Sequence, residues 1–287
     1  MNVHSYADDT QLYAHCSPSD ELMISARLVD CIDKIERWMS ANRLRLNTDK
    51  TQVMWLGTKT QLRKISMKGI NIGGSVITPS STAKNLGVIF DNELTMNPQI
   101  NAITSSCFYQ MRQIRSIRKL LTTDAAKVLV HAFISSRVDY CNSIYYGLTD
   151  AAMSKIQSIL NSAARLVTDK SRCARTTPIL KDLHRLPVRH RIKYKLATIV
   201  QNCLQGTCPL YLSSSVETVR SCPGRAHLRS AQCGNLIVPR SRTKRLGPRS
   251  FRTSGPTVWN ELPPELRSIN GELFRAKLKT HYFACCY

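Results

Sequence analysis

A chain of 287 residues can bury a sizeable core and has room for one or two domains. Its net charge of +22 is graded: residues 1–60 carry 7 Lys+Arg against 8 Asp+Glu, residues 61–170 carry 13 against 6, and residues 171–287 carry 21 against 5. That gradient calls for an anionic partner, and nucleic acid fits better than a membrane, because no segment approaches the ~20 apolar residues of a spanning helix.

In chain order, Tyr6-Ala7-Asp8-Asp9-Thr10-Gln11-Leu12-Tyr13 reads as two short strands meeting at an acidic turn. An exposed Asp-Asp pair is in most settings a solvated turn, but magnesium also takes hard oxygens from one or two carboxylates and completes its shell with phosphates and water. Ser17-Pro18-Ser19-Asp20 has the residues of a helix start, and Leu22, Ala26, Val29, Ile32, Ile35 and Met39 recur at helical spacing, which predicts a helix over 18–41. Residues 51–56 alternate weakly and predict a strand ending at Gly57. Residues 64–91, β-branched and punctuated by Gly69, Gly73-Gly74 and Pro79, predict a small antiparallel sheet.

From Asn97 the period becomes helical. Ile100, Ile103, Cys107, Met111, Ile114 and Leu121 form an apolar face, with Arg112, Arg115 and Lys119 on another. Those bases are either a solvated face or a surface for phosphates. Further helices are predicted over 124–136, 151–168 and 188–204. The last carries Arg189, Arg191, Lys193 and Lys195 at every second position, which spreads them around the helix. Residues 213–257, rich in Ser, Arg, Pro and Gly, read as a basic loop that includes Arg240, Arg242 and Lys244. Beyond Gly255-Pro256, Val258, Trp259, Leu262, Leu266, Phe274, Leu278 and Phe283 read as anchors of a tail helix, with Trp259 structural rather than base-stacking.

The eleven cysteines, with no basic-then-apolar leader after Met1, read as reduced thiols of an intracellular protein, nuclear or cytoplasmic. Cys203, Cys208, Cys222, His227 and Cys233 lie at the loose edge of zinc-site spacing without a Cys-x-x-Cys pair, so unliganded thiols are the expectation over zinc.

Seven blocks carry a resemblance: Tyr6–Tyr13; Trp38-Met39-Ser40-Ala41-Asn42-Arg43-Leu44-Arg45-Leu46-Asn47-Thr48-Asp49-Lys50-Thr51; Lys84-Asn85-Leu86-Gly87-Val88-Ile89-Phe90-Asp91; Ser136-Arg137-Val138-Asp139-Tyr140-Cys141-Asn142-Ser143; Asn161–Val167; Leu183-His184-Arg185-Leu186-Pro187; and Trp259-Asn260-Glu261-Leu262-Pro263. In this order the chain resembles the reverse transcriptase of LINE-type non-LTR retrotransposons, in the branch of the chicken-repeat and jockey-like elements, from about residue 3 to 283. Arg185 stands where that family usually has Trp.

The resemblance implies an α+β fold. A truncated polymerase palm (hairpin, helix, small antiparallel sheet) would occupy 1–91, a helical thumb or connection 92–205, a basic loop-rich segment 206–257 and a tail helix 258–287. It implies an RNA-directed DNA polymerase acting on RNA and DNA in a template–primer duplex. Asp8 and Asp9 would be catalytic magnesium ligands, with Tyr6 beneath the primer end. Lys50 would be a general acid toward pyrophosphate, and Leu86, Gly87 and Val88 a primer-grip turn. Arg112, Arg115, Lys119, Arg189, Arg191, Lys193 and Lys195 would contact nucleic acid. Two-metal transfer needs a further carboxylate from a separate strand, so the expectation is a C-terminal part of such an enzyme, inactive alone. The alternatives are a non-catalytic nucleic-acid-binding module, or an N-terminally truncated reading of an active enzyme.

Overall fold

The computed structural model describes residues 1–287 apart from Arg225 and Arg242. It comprises two compact units, Met1–Asn101 and Ala102–Tyr287, and the division falls inside one helix. Of the basic loop residues named above, Arg242 lies outside the described residues.

The first unit opens with a hairpin of β1 (Asn2–Tyr6) and β2 (Asp9–Tyr13), followed by α1 (Glu21–Ala41) and a single turn, α2 (Lys59–Leu62). Two further hairpins follow: β3 (Ile70–Ile72) with β4 (Ser75–Ile77), and β5 (Thr82–Asn85) with β6 (Val88–Asp91). All three pairs are antiparallel and none joins another, so the single small sheet expected over 64–91 is two separate hairpins. Residues 51–56 form no strand. Val53 accepts one bond from the Ser80 amide, 2.8 Å, and sends its side chain into the core instead of entering a ladder.

Ile32, Ile70 and Ile72 form the centre of this unit, with Leu12, Leu28, Val29, Leu46, Val53, Met67 and Ile77 packed around them. The buried line of α1 begins with polar residues. Glu21 and Ser25 are buried, while Leu22 is 71% exposed. Glu21 accepts from the Ser66 amide (3.0 Å) and hydroxyl, and the Ser25 hydroxyl donates to Met67 Sδ, 3.2 Å. Those bonds, chiefly the Ser66 hydroxyl, hold the Glu21 carboxyl below its ordinary pKa against the opposing effect of burial. A stripe read from apolarity alone therefore starts on the wrong side of the helix.

The turn from β6 into α3 (Asn97–Ser116) puts Leu94 and Met96 at φ 53° and 62°. Asp91 holds it, accepting from the amides of Thr95 (2.9 Å) and Met96 (2.7 Å). Gln99 Oε1 accepts from the Ile89 amide, 2.9 Å, tying the first turn of α3 to β6.

The second unit is helical: the rest of α3, α4 (Thr123–Val130), a π-helical stretch His131–Ser135, α5 (Ser136–Asp139), α6 (Asp150–Val167), α7 (Thr176–Asp182) and α8 (Val188–Leu204). Short α9 (Leu210–Ser213) and α10 (Arg229–Gln232) are followed by α11 (Phe251–Asn260), α12 (Pro264–Arg267) and α13 (Gly271–Cys286). Gly255 and Pro256, expected to end a loop, lie inside α11. A β-carbon built on Gly255 would come 3.0 Å from Val200 Cγ2 of α8, so the glycine permits close packing of the two helices. Trp259 is buried and donates its indole N–H to the Gly234 carbonyl, 3.1 Å.

Arg118 organises the start of this unit. It is buried in the 3-10 turn after α3, where its guanidinium donates to the carbonyls of Leu166 (2.8 Å), Val167 (2.7 Å) and Leu121 (2.9 Å). The first two are at the C-terminal end of α6, where the helix dipole is negative and carbonyls lack helical partners. Replacing Arg118 by Met should cost about 2–3 kcal/mol, through the loss of its charged hydrogen bonds to these carbonyls; urea unfolding followed by circular dichroism measures it.

Asp91 gives a second expectation. Burial opposes its ionisation, but the amides of Thr95 and Met96 and the Thr95 hydroxyl outweigh it, so its pKa lies below the ordinary 3.8. With the folded value depressed, its stabilisation is complete above the ordinary value and is lost as pH falls through the folded one. The urea midpoint of the wild type should drop as pH falls below about 4, and drop less for Asp91→Asn.

Candidate nucleic-acid interface

In the first unit β1 and β2 pair from Asn2↔Tyr13 to Tyr6↔Asp9, leaving Ala7 and Asp8 as a two-residue tip. Ala7 has φ 53°, a left-handed conformation that costs a residue with a β-carbon about 1–2 kcal/mol. Asp8 and Asp9 are both exposed, and Tyr6 is 65% exposed. Cross-strand pairing puts Tyr6 and Asp9 on one face, with Gln11 two residues further along that face. The opposite face carries Leu12, which packs on the core of the unit.

Gln11 links the acidic hairpin to the second candidate element. Its Nε2 donates to Asn85 Oδ1, 2.9 Å, at the mouth of the β5–β6 turn. That turn has Leu86 at φ 44° and Gly87 at φ 83°, closed by Asn85↔Val88, with Val88 buried. Positive φ at both positions is the pattern for which Asn-Gly is the favoured sequence, so Leu86 is strained where Gly87 is not. The structure thus joins the acidic tip and the 86–88 turn through one side-chain hydrogen bond.

Lys50 follows α1 in the first unit. It ends a turn in which its amide donates to Asn47 Oδ1, 3.2 Å. Thr48 of the same turn is beside the β3–β4 turn: a β-carbon on Gly73 would come 3.3 Å from Glu36 Oε1 and 3.4 Å from Thr48 Cγ2. No hydrogen bond or ion pair places Lys50 against Asp8 or Asp9 among the described residues. An open depression on α1, lined by Asp33, Glu36, Arg37 and Ser40, includes none of the candidate residues.

Asp8 and Asp9 are a partial donor set for magnesium: two adjacent, exposed carboxylates that phosphate oxygens and water would complete. Among the described residues no three of His, Cys, Asp and Glu converge on a metal position. Of the cysteines considered for zinc, Cys208 donates its thiol to the Ile199 carbonyl, 3.7 Å, and neighbours Cys203. Burial first, then this neighbour, pushes the Cys203 pKa up to about 12.

In the second unit Arg112 and Arg115 are exposed on α3, together with Phe108 (37% exposed) and Tyr109 (53% exposed). The helix ends at Ser116, so Lys119 is exposed on the following 3-10 turn and not on the α3 face. The intervening Arg118 turns inward. Sequence spacing alone makes 112, 115, 118 and 119 look alike.

The four bases of α8 have distinct surroundings. Arg189 pairs with Asp150. Arg191, 16% exposed, pairs with Asp139 at 2.6 Å and donates to the Leu186 carbonyl at 2.8 Å. Lys193 pairs with Glu261 at 2.7 Å, and Lys195 is exposed. Three of the four thus neutralise acids of the same unit. Beside Arg191, Arg185 donates to Ser135 Oγ, 2.8 Å, and its backbone carbonyl accepts from the Tyr287 hydroxyl, 2.9 Å. Burial first, and then the charge of Arg191, lower the Arg185 pKa, while Asp139 partly restores it. Ser135 is the last residue of the π-helical stretch, so that irregular turn presents the hydroxyl that Arg185 uses.

Comparison with known proteins bears on these surfaces. A Drosophila melanogaster protein named "Probable RNA-directed DNA polymerase from transposon BS" is 28% identical over 192 residues, a match that covers 66% of this chain and 21% of that relative. The chain is similar to a transposon RNA-directed DNA polymerase. No family model matches it, and no solved structure does. The chain spans about a fifth of the length of this relative. No helix among the described residues is long and apolar enough to cross a membrane.

The strain at Leu86 can be measured. Leu86→Asn should raise stability by about 1 kcal/mol, because Asn tolerates the left-handed conformation. A thermal midpoint unchanged or lower than that of the wild type would show that Leu86 contacts offset the strain.

Proposed function

We propose that this chain is the acidic-hairpin and helical part of a LINE-type non-LTR retrotransposon reverse transcriptase, of the chicken-repeat and jockey-like branch, and that it grips RNA and DNA of a template–primer through phosphate. Similarity to the transposon RNA-directed DNA polymerase is the observation that carries this reading. The charge supports it: residues 61–287 hold 34 Lys+Arg against 11 Asp+Glu. In this reading 1–91 is palm-derived, 92–205 a thumb or connection, 206–257 a basic segment and 258–287 the tail.

Magnesium, when bound, would neutralise charge on the reacting phosphates. Asp8 and Asp9 would hold it, with Asp8 as the main ligand. Tyr6, opposite Asp9 across the hairpin, would pack against the primer end. The Leu86-Gly87-Val88 turn would approach the primer with its exposed Leu86 and Gly87, anchored by buried Val88 and fixed relative to the hairpin by the Gln11–Asn85 bond. For Lys50 the reading keeps the role of an acid toward pyrophosphate, which requires substrate to reach its turn. Within these 287 residues the hairpin supplies two carboxylates, and polymerisation requires another from a separate strand.

The isolated chain should therefore bind a template–primer but not extend it. Nucleotide incorporation with Mg²⁺ or Mn²⁺, abolished by Asp8→Ala, would refute the second half of that statement. Replacing Arg112, Arg115 and Lys119 by Gln should weaken duplex binding more than replacing Arg240, Arg242 and Lys244, because Arg112 and Arg115 share one exposed face of α3 with Lys119 close after it. Equal losses would mean that only total charge counts.

A further inference from the structure

We propose that the exposed face of α3 is a stacking surface for unpaired bases, with Phe108 and Tyr109 as the platforms and Arg112 as the phosphate contact between them. The proposal rests on the nucleic-acid reading above and names what this face would take: a single strand, not only the backbone of a duplex.

The argument starts from helix geometry. Cys107, Met111 and Ile114 are buried and fix the inward side of α3 in the second unit. Arg112 lies four residues beyond Phe108 and three beyond Tyr109, so it neighbours both on the helix surface. Arg115 lies three residues further, about 4.5 Å along the axis. Ser105 and Ser116 complete an exposed face on which both aromatic rings stand among basic and hydroxyl groups.

Charge decides what kind of partner suits those rings. Residues 94–123 contain Arg112, Arg115, Arg118 and Lys119 and no Asp or Glu. With Arg118 turned into the protein, Arg112 and Arg115 remain exposed on the face of the aromatic pair, and Lys119 is exposed on the turn that follows α3. A surface for a protein partner would more often carry a rim of both signs, whereas one-sign basic charge with exposed aromatic faces is the pattern of single-strand binding. Duplex binding through phosphate would leave Phe108 and Tyr109 without a use, because paired bases keep their faces stacked inside the helix. Unpaired bases offer a face to any aromatic ring, so the contact is tolerant of sequence.

The test separates bases from phosphates. Fluorescence anisotropy would measure binding of the full chain to a labelled oligothymidine and to an abasic oligonucleotide of the same length, which has the phosphates without the bases. The wild type should prefer the oligothymidine by about 5- to 100-fold, the range expected for loss of a stacked base. The double variant Phe108→Leu, Tyr109→Leu keeps apolar side chains at exposed positions, and circular dichroism would verify its fold. It should lose that preference and bind the abasic strand as the wild type does. Equal wild-type binding to the two strands, or equal losses by the variant on both, would overturn the stacking proposal and leave phosphate binding standing. If the wild type bound neither strand nor a template–primer duplex, the nucleic-acid reading itself would fail.

Discussion

Arg118 reaches from the turn after α3 to the last carbonyls of α6 and ties those two elements of the second unit together. A helix end buried without partners would carry unsatisfied acceptors, and a guanidinium both satisfies them and complements the negative end of the dipole. The same economy recurs nearby. Arg191 joins Asp139 of α5 to α8, and Arg185 bridges to Ser135 at the end of the π-helical stretch. These three arginines are thus engaged within the protein. A strongly basic chain is not uniformly available to an anion, and the structure separates its cations into those that hold helices together and those that face outward.

The same kind of engagement occupies residues of several of the sequence blocks. Asp139 and Asn142 belong to one block and Arg185 to another, and the structure brings them to one partly buried polar cluster in which the Asn142 amide lies 3.4 Å from Asp139 Oδ1. Asp91, the last residue of the Lys84–Asp91 block, holds a strained turn through two amides. Trp259 and Asn260 tie α11 to residues 234–236. Such residues act on the fold, whereas the Tyr6–Asp9 tip and the Leu86-Gly87 turn combine exposure with backbone strain, as do Arg43 and His184 in two other blocks. Strain of that kind persists where the surroundings enforce it, and it clusters at sites that bind or react.

Elements with strong periodicity were legible in the sequence. The helix expected over 188–204 is α8 residue for residue, and the acidic hairpin has its turn at Ala7-Asp8. What was not legible depended on partners distant in the chain. The buried line of α1 runs through Glu21 and Ser25 because Ser66 and Met67 meet them, which no apolar pattern can reveal. Gly255 and Pro256 read as breakers, but the closeness of α8 makes glycine useful inside α11. In the same way, the inward turn of Arg118 and the acid partners of α8 could not be told from exposed bases by spacing. At the acidic tip, the Asp pair was visible as a motif, whereas the Gln11–Asn85 bond that joins it to the 86–88 turn was not.

If the outward-facing cations serve phosphate, binding must depend steeply on salt. For the wild-type chain on a template–primer duplex, the logarithm of affinity plotted against the logarithm of salt concentration should fall linearly. If roughly 6–10 phosphates are contacted, affinity should drop by about 10³–10⁵ between 50 and 200 mM salt. A plot that is flat over that interval would contradict the account, because binding without counterion release would not use the charge this structure leaves exposed.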